Sequence, residues 1–152
     1  MLLAVDLGIR SGLACFDATG RLLWYRSTNF GDASRLRRAI PGIFDSIPRL
    51  KYLVLEGGGP LYELWCRQGR KRGVQVLQVQ AEDWRRELLL ARERRSARLA
   101  KARAAELAQE VIRSSDAPLP RGTLVHDVAE AVLVGLYACR HLRRREGVDG
   151  PS

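Results

Sequence analysis

Four carboxylates stand where an apolar core would exclude them. Asp6 closes the apolar run Leu2 to Val5, and Glu56 closes the run Tyr52 to Leu55. Asp127 and Glu130 sit among Val125, Val128, Ala129, Ala131, Val132, Val134 and Leu136. A separation of three residues on a helix sends both acidic side chains to one face. Taken singly, each has a plain reading: Asp6 caps the next turn, Glu56 pairs with an arginine, Asp127 favours the positive end of a helix. Taken together, four carboxylates in a low dielectric repel one another, and a divalent cation relieves the conflict. Hard oxygen donors without a thiolate suit Mg²⁺ or Mn²⁺. Two such ions about 4 Å apart clamp the attacking and leaving oxygens of an in-line phosphoryl displacement. The expected chemistry is therefore metal-dependent hydrolysis of a phosphodiester.

The charge balance points to the same kind of substrate. Lys and Arg number 26 against 17 Asp and Glu, a net charge of +9. Such an excess calls for a polyanionic partner, nucleic acid before an anionic membrane. Most of the cations are arginine, which forks onto phosphate oxygens, although genome composition or a hot habitat also enriches arginine. Arg85, Arg94, Arg95, Arg98 and Lys101, opened by Trp84, form a dense basic stretch expected to contact DNA. Arg94, Arg98 and Lys101 recur at spacings that share a helix face, which can track a phosphate backbone or be a plain solvated face. Arg67, Arg70, Lys71 and Arg72 make a second basic patch, expected to grip another arm of the substrate. Arg140 and Arg143 to Arg145 end the last helix, where cations also suit the helix dipole. Tyr62 and Trp65 either stack on bases, pack between subunits or fill the core. Gly57 to Gly59 either admit a phosphate close to the backbone or make a tight strand–helix turn.

The elements that must position these groups follow from periodicity. Leu2–Asp6, Leu13–Asp17 and Arg21–Thr28 read as three strands of an antiparallel meander, with a turn at Asp17–Gly20. A helix over about Ala33–Ile47 contains Pro41 and Gly42, which should distort it. Tyr52–Glu56 reads as a strand covered on both faces, and Leu61–Arg72 as a helix stopped by Gly73. Val74–Val79 is a fifth strand. Helices are expected over about Ala81–Leu90, Arg95–Arg113 and Leu124–Arg145. The order implies an α/β fold with a mixed five-stranded sheet, three strands antiparallel and then two parallel, with helices on both faces.

A length of 152 residues implies one domain, over 1–146, with a flexible tail at 147–152. A composition 46% hydrophobic and 28% charged excludes a disordered chain, a collagen and a disulfide knot. Cys15, Cys66 and Cys139 show neither metal-ligand spacing nor a disulfide framework, and read as buried reduced thiols of a cytoplasmic protein. The apolar run before Asp6 is too short for a signal segment or a membrane span.

The motifs together resemble a family. Val5-Asp6-Leu7-Gly8-Ile9-Arg10-Ser11-Gly12-Leu13 resembles the opening motif of RuvC-type Holliday-junction resolvases, of the ribonuclease H-like superfamily. Leu55-Glu56 resembles their second acidic motif, and Asp127-Val128-Ala129-Glu130-Ala131 their closing helix motif. Gln68 to Val74 resembles the stretch leading into their fifth strand. The resemblance covers nearly the whole chain. It implies a homodimer that nicks two opposed strands of a four-way DNA junction and leaves 5′-phosphate and 3′-hydroxyl ends. It implies two Mg²⁺ or Mn²⁺ ions per site, with Asp6 bridging both, Glu56 holding one, and Asp127 with Glu130 completing the shell. It also implies Lys101 as a phosphate contact near the cut. Glu130 departs from the pattern, where aspartate is commoner. His126, just before the acidic pair, is either a ligand or a surface or packing residue.

Two other readings compete. A ribosomal RNA processing nuclease of the YqgF type shares the fold, but the acidic pair on the last helix argues for a resolvase. A DNA-binding module without catalysis explains the charge and leaves Asp6 and Glu56 without a purpose. Actin-like kinases share an Asp-Leu-Gly opening, but they need two such domains and a nucleotide cleft, so no nucleotide cofactor and no membrane are expected.

Overall fold

The computed structural model describes residues 1–149. Strand β1 (Leu2–Asp6) is the centre of a five-stranded sheet of order β3-β2-β1-β4-β5. It pairs antiparallel with β2 (Arg10–Phe16), which pairs antiparallel with β3 (Leu22–Asn29). On its other side it runs parallel to β4 (Tyr52–Glu56), and β4 runs parallel to β5 (Gln75–Val79). The mixed sheet expected from the sequence is the one found.

Side chains alternate across a strand, and that alternation sorts two cores. Leu3, Val5, Leu13, Cys15, Leu53 and Leu55 bury one face against α1 (Ala33–Asp45) and α2 (Pro60–Lys71). Leu2, Ala4, Ala14, Phe16 and Val54 bury the other against α3 (Ala81–Leu88), α4 (Ala97–Arg113) and α5 (His126–Asp149). Asp6 and Glu56 belong to the second set by the same alternation, so their carboxylates face the α3–α5 layer.

Local chemistry sets the helix starts. The Asp32 carboxylate accepts the Arg35 N–H at 2.8 Å, and Ser96 Oγ accepts the Leu99 N–H at 3.1 Å, each covering an otherwise unpaired first-turn donor. Helix α1 runs on past Pro41 to Asp45. In α4, Ala100, Ala104, Ala108 and Ile112 recur every fourth residue and form its buried stripe. Several boundaries differ from the sequence expectation, among them the start of β2, which is Arg10 and not Leu13, and the start of α5, which is His126 and not Leu124. Helix α3 stops at Leu88, and a 3₁₀ turn over Ala91–Arg94 precedes α4, which starts at Ala97. The buried Leu89 ends α3 by turning inward, which periodicity alone does not mark. Helix α5 continues to Asp149, into the stretch expected as a tail, and residues 150–152 lie outside the described residues.

The docking of α5 depends on small residues in the sheet. A Cβ on Gly12 would stand 1.9 Å from the Asp127 carbonyl oxygen, so only glycine lets the first turn of α5 settle on β2. Gly12→Ala is expected to cost about 3 kcal/mol, because relief requires moving backbone and not a side chain. Urea denaturation of the purified variant checks this, and an unchanged midpoint would contradict the close approach.

All three thiols are buried and free, as expected. Among the described residues no helix is long and apolar enough to cross a membrane.

Candidate active site

Asp6 and Glu56 are direct partners in the parallel β1–β4 ladder. Gly12 is the partner of Asp6 on the other side, in β2. The absence of a side chain there brings the start of α5, and with it Asp127, over the end of the sheet. Asp127 and Glu130 lie on the α5 face that meets β1 and β2. The four expected carboxylates thus converge, from two strands and one helix.

Three of the four carboxylates have a holder, Asp6 being the exception. The Trp84 indole N–H donates to Glu56 Oε2 at 2.9 Å. Ser27 Oγ donates to Asp127 Oδ2 at 2.7 Å, and Arg10 Nε lies 3.7 Å from the same oxygen. Arg10 also donates to Ser27 Oγ at 3.3 Å. Glu130 is 3% exposed, and its Oε1 takes an Arg85 N–H at 3.2 Å with His126 Nε2 at 3.1 Å.

The electrostatics are those of crowded, half-dry carboxylates. Burial, then the Glu130 and Asp127 carboxylates, push the Asp6 carboxyl up to about 7, against the opposing pull of Arg85. Burial, then Glu130 and Asp6, push Glu56 up to about 8, with the Trp84 hydrogen bond opposing.

Among the described residues, no three His, Cys, Asp or Glu side chains already form a metal-holding group. Glu130 contacts Arg85 and His126 instead. Two buried oxygens, Asp127 Oδ1 and Glu130 Oε2, have no hydrogen-bond partner. Buried acceptors are costly when unpaired. All-oxygen donors with two unpaired acceptors fit a hard divalent cation.

Arg85 therefore supplies part of the positive charge at this site. Arg85→Ala is expected to lower the stability of the metal-free chain by about 1–3 kcal/mol, since Glu130 Oε1 keeps only His126. The loss should shrink on adding Mn²⁺. Urea denaturation with chelator and with Mn²⁺ measures both, and an equal loss in each would count against a shared role.

The expected nucleic-acid contacts divide. Arg94, Arg95, Arg98 and Lys101 are exposed and have no carboxylate partner among the described residues. Arg85, Arg86 and Arg94, with Glu82, border an open cavity of about 500 Å³ that none of the four carboxylates lines. Lys101 makes no hydrogen bond or ion pair with the four acids. Trp84 is a correction: it is fully buried, so it cannot reach DNA, because its large apolar ring outweighs the flanking charges. Trp65 is likewise buried and packs on Phe44, which leaves it a core residue and not a stacking surface. Arg67, Arg70 and Lys71 are exposed on α2, on the opposite face of the sheet from α4. Arg72 joins them but is engaged by Asp45 and lies over the Phe44 ring. Gly57 and Gly59 have φ of 111° and 82°, so the strand–helix turn itself requires them.

Ser27 and Arg10 were not singled out for this site from the sequence. Arg10 sits inside the opening motif, which is a usable signal, whereas a lone serine on an edge strand carries none.

No protein-family model matches the chain, and no curated protein matches it. Among solved structures, a crystal structure of the Fowlpox virus resolvase with its substrate Holliday junction DNA matches with a TM-score of 0.68 at 14% identity. The match covers 93% of this chain and 97% of that one. The likeness establishes the fold: the chain has the α/β, ribonuclease H-like architecture of that resolvase.

Proposed function

We propose that the chain is a structure-selective endonuclease that resolves four-way DNA junctions by paired nicks, leaving 5′-phosphate and 3′-hydroxyl ends. The observation that carries this reading is the register of Asp6 against Glu56, with Asp127 and Glu130 brought onto them and two of their oxygens unpaired. The fold shared with a resolvase crystallised on Holliday junction DNA supports the choice of substrate. So does the net charge of +9, since a metal site of carboxylates needs basic surroundings to hold a polyanion.

Asp6, Glu56, Asp127 and Glu130 would hold Mg²⁺ or Mn²⁺, two ions per site, which when bound polarise the phosphodiester and stabilise its developing charge. Asp6 and Glu56 give up their protons as ligands, so binding is tighter at higher pH. Ser27 and Arg10 keep Asp127 turned toward the site. Arg94, Arg95, Arg98 and Lys101 grip backbone phosphates, and Lys101 is the contact nearest the cut by its resemblance to resolvases. Arg67, Arg70 and Lys71, on the far face, take a different arm of the branched substrate. Paired nicks in opposed strands need two sites related by a two-fold axis, so the working form is a homodimer.

The test is cleavage of a labelled four-way junction, with linear duplex and an RNA hairpin as controls, in Mg²⁺, Mn²⁺ or chelator. Symmetric paired nicks in the junction alone, lost with chelator, are expected. Cutting of the RNA hairpin instead would move the reaction to RNA processing. Junction binding without cutting would leave a binding module.

A further inference from the structure

Trp84 is the largest group beneath the acidic site, and it is wholly buried. Buried indole N–H groups usually find an acceptor, although that of Trp65 has none. Here the acceptor is not a backbone carbonyl but Glu56 Oε2, at 2.9 Å.

The indole has little freedom to follow Glu56 if that side chain moves. Helix α3 is tied at its start, where the Asp83 carboxylate accepts the Gln80 N–H at 3.0 Å. It is tied at its other end to α5, where Arg144 donates to Glu87 at 2.7 Å. The Trp84 ring between them shares a core with Ala4, Val54, Val128 and Val132. The rigid partner is thus the tryptophan, and the adjustable one is the glutamate. A glutamate has several rotatable bonds, and fixing one of its oxygens removes most of the ordering that a cation would otherwise impose. A ligand oriented this way commonly binds metal more tightly than a free one.

We propose that Trp84 is a positioning residue for the divalent cation: its buried indole N–H ties down Oε2 of Glu56 and presents the other oxygen, Oε1, to the ion. The proposal rests on the nuclease reading above, because it requires a cation at that site. It also explains why an aromatic residue in a run of arginines is turned into the protein. The neighbouring Arg85 holds Glu130 from the same helix, so α3 reaches two of the four carboxylates through consecutive residues.

Two measurements on the full chain test it. The chain has three tryptophans and so three indole N–H resonances, of which Trp84's is assignable by triple-resonance NMR. That resonance is expected to shift on saturation with Mg²⁺ in the wild type and to stay in place in Glu56→Gln. By calorimetry, Trp84→Phe, which keeps an aromatic ring and loses the donor, is expected to weaken Mn²⁺ binding roughly 10–100-fold. A Trp84 resonance unmoved by saturating Mg²⁺ overturns the proposal, whether or not the phenylalanine variant folds. So does a folded Trp84→Phe that binds Mn²⁺ as tightly as wild type but melts earlier, which is the behaviour of a residue that only fills the core. Wild type binding Mn²⁺ no tighter than Asp6→Asn is a separate result: it removes the metal-dependent reading, and this proposal with it.

Discussion

Asp6→Asn is expected to slow nicking of a four-way junction by about 10³-fold or more while leaving junction binding in chelator at wild-type strength. Asp6 ends the central strand and faces Glu56 in register, with Gly12 on its other side and the start of α5 beyond it. Of the four acids it stands on the strand between the other two elements. An amide keeps the shape and loses the charge, so Arg94, Arg95, Arg98 and Lys101, proposed above to grip phosphates, are untouched. Gel-shift assay with chelator and single-turnover nicking with Mg²⁺ separate the two effects. Nicking by the variant within tenfold of wild type would remove Asp6 from the centre of the chemistry. Equal loss of binding and nicking would mean that the substitution disturbs the surface that holds DNA.

The second large effect is on stability without metal. The Asp6 and Glu56 carboxyls stand near 7 and 8 in the folded chain, against ordinary carboxylate values of 3.8 and 4.5. Between those ranges the folded state binds protons that the unfolded chain does not, so stability falls as pH rises. The penalty is absent below about pH 4 and complete above about pH 8. Metal-free protein should therefore melt at a lower temperature at pH 8 than at pH 5.5. Asp6→Asn removes one of the two charges, and its amide N–H groups can donate to the neighbouring carboxylates. In chelator at pH 8 the variant should be more stable than wild type by about 1–2 kcal/mol, a figure reduced for the partial solvent access of Asp6. That corresponds to a Tm higher by roughly 3–6 °C. Near pH 4 the difference should vanish. Mg²⁺ should restore wild-type stability more at pH 8 than at pH 6, since ligands must be deprotonated to bind. Calorimetric melts across this range decide the matter. A variant less stable than wild type at pH 8 would mean that the carboxylates are not in conflict.

The two expected effects have opposite signs at one residue: the charge that the proposed chemistry needs is the charge expected to destabilise the metal-free fold. Such a conflict fits a site that takes up a cation. It also accounts for Arg85, whose guanidinium sits on Glu130 where a cation is wanted.

The strand ends, the sheet and the acidic pair on α5 were legible in the sequence. Runs such as Leu2–Val5 and Tyr52–Leu55 must be buried, a carboxylate at the end of each breaks the pattern, and a spacing of three must share a helix face. Those are local facts, and local periodicity reports them. Which groups hold the carboxylates was decided only by the tertiary structure. Ser27 and Asp127 lie 100 residues apart and meet because β3 pairs with β2 and α5 packs across both. Trp84 reads as a surface residue from its arginine neighbours, yet the docking of α3 on α5 turns it onto Glu56. The two basic patches look alike in sequence, and only the helix packing puts α2 and α4 on opposite faces. Periodicity says that a face is buried. It does not say against what, because that depends on strand order and helix docking, which arise from contacts between distant parts of the chain.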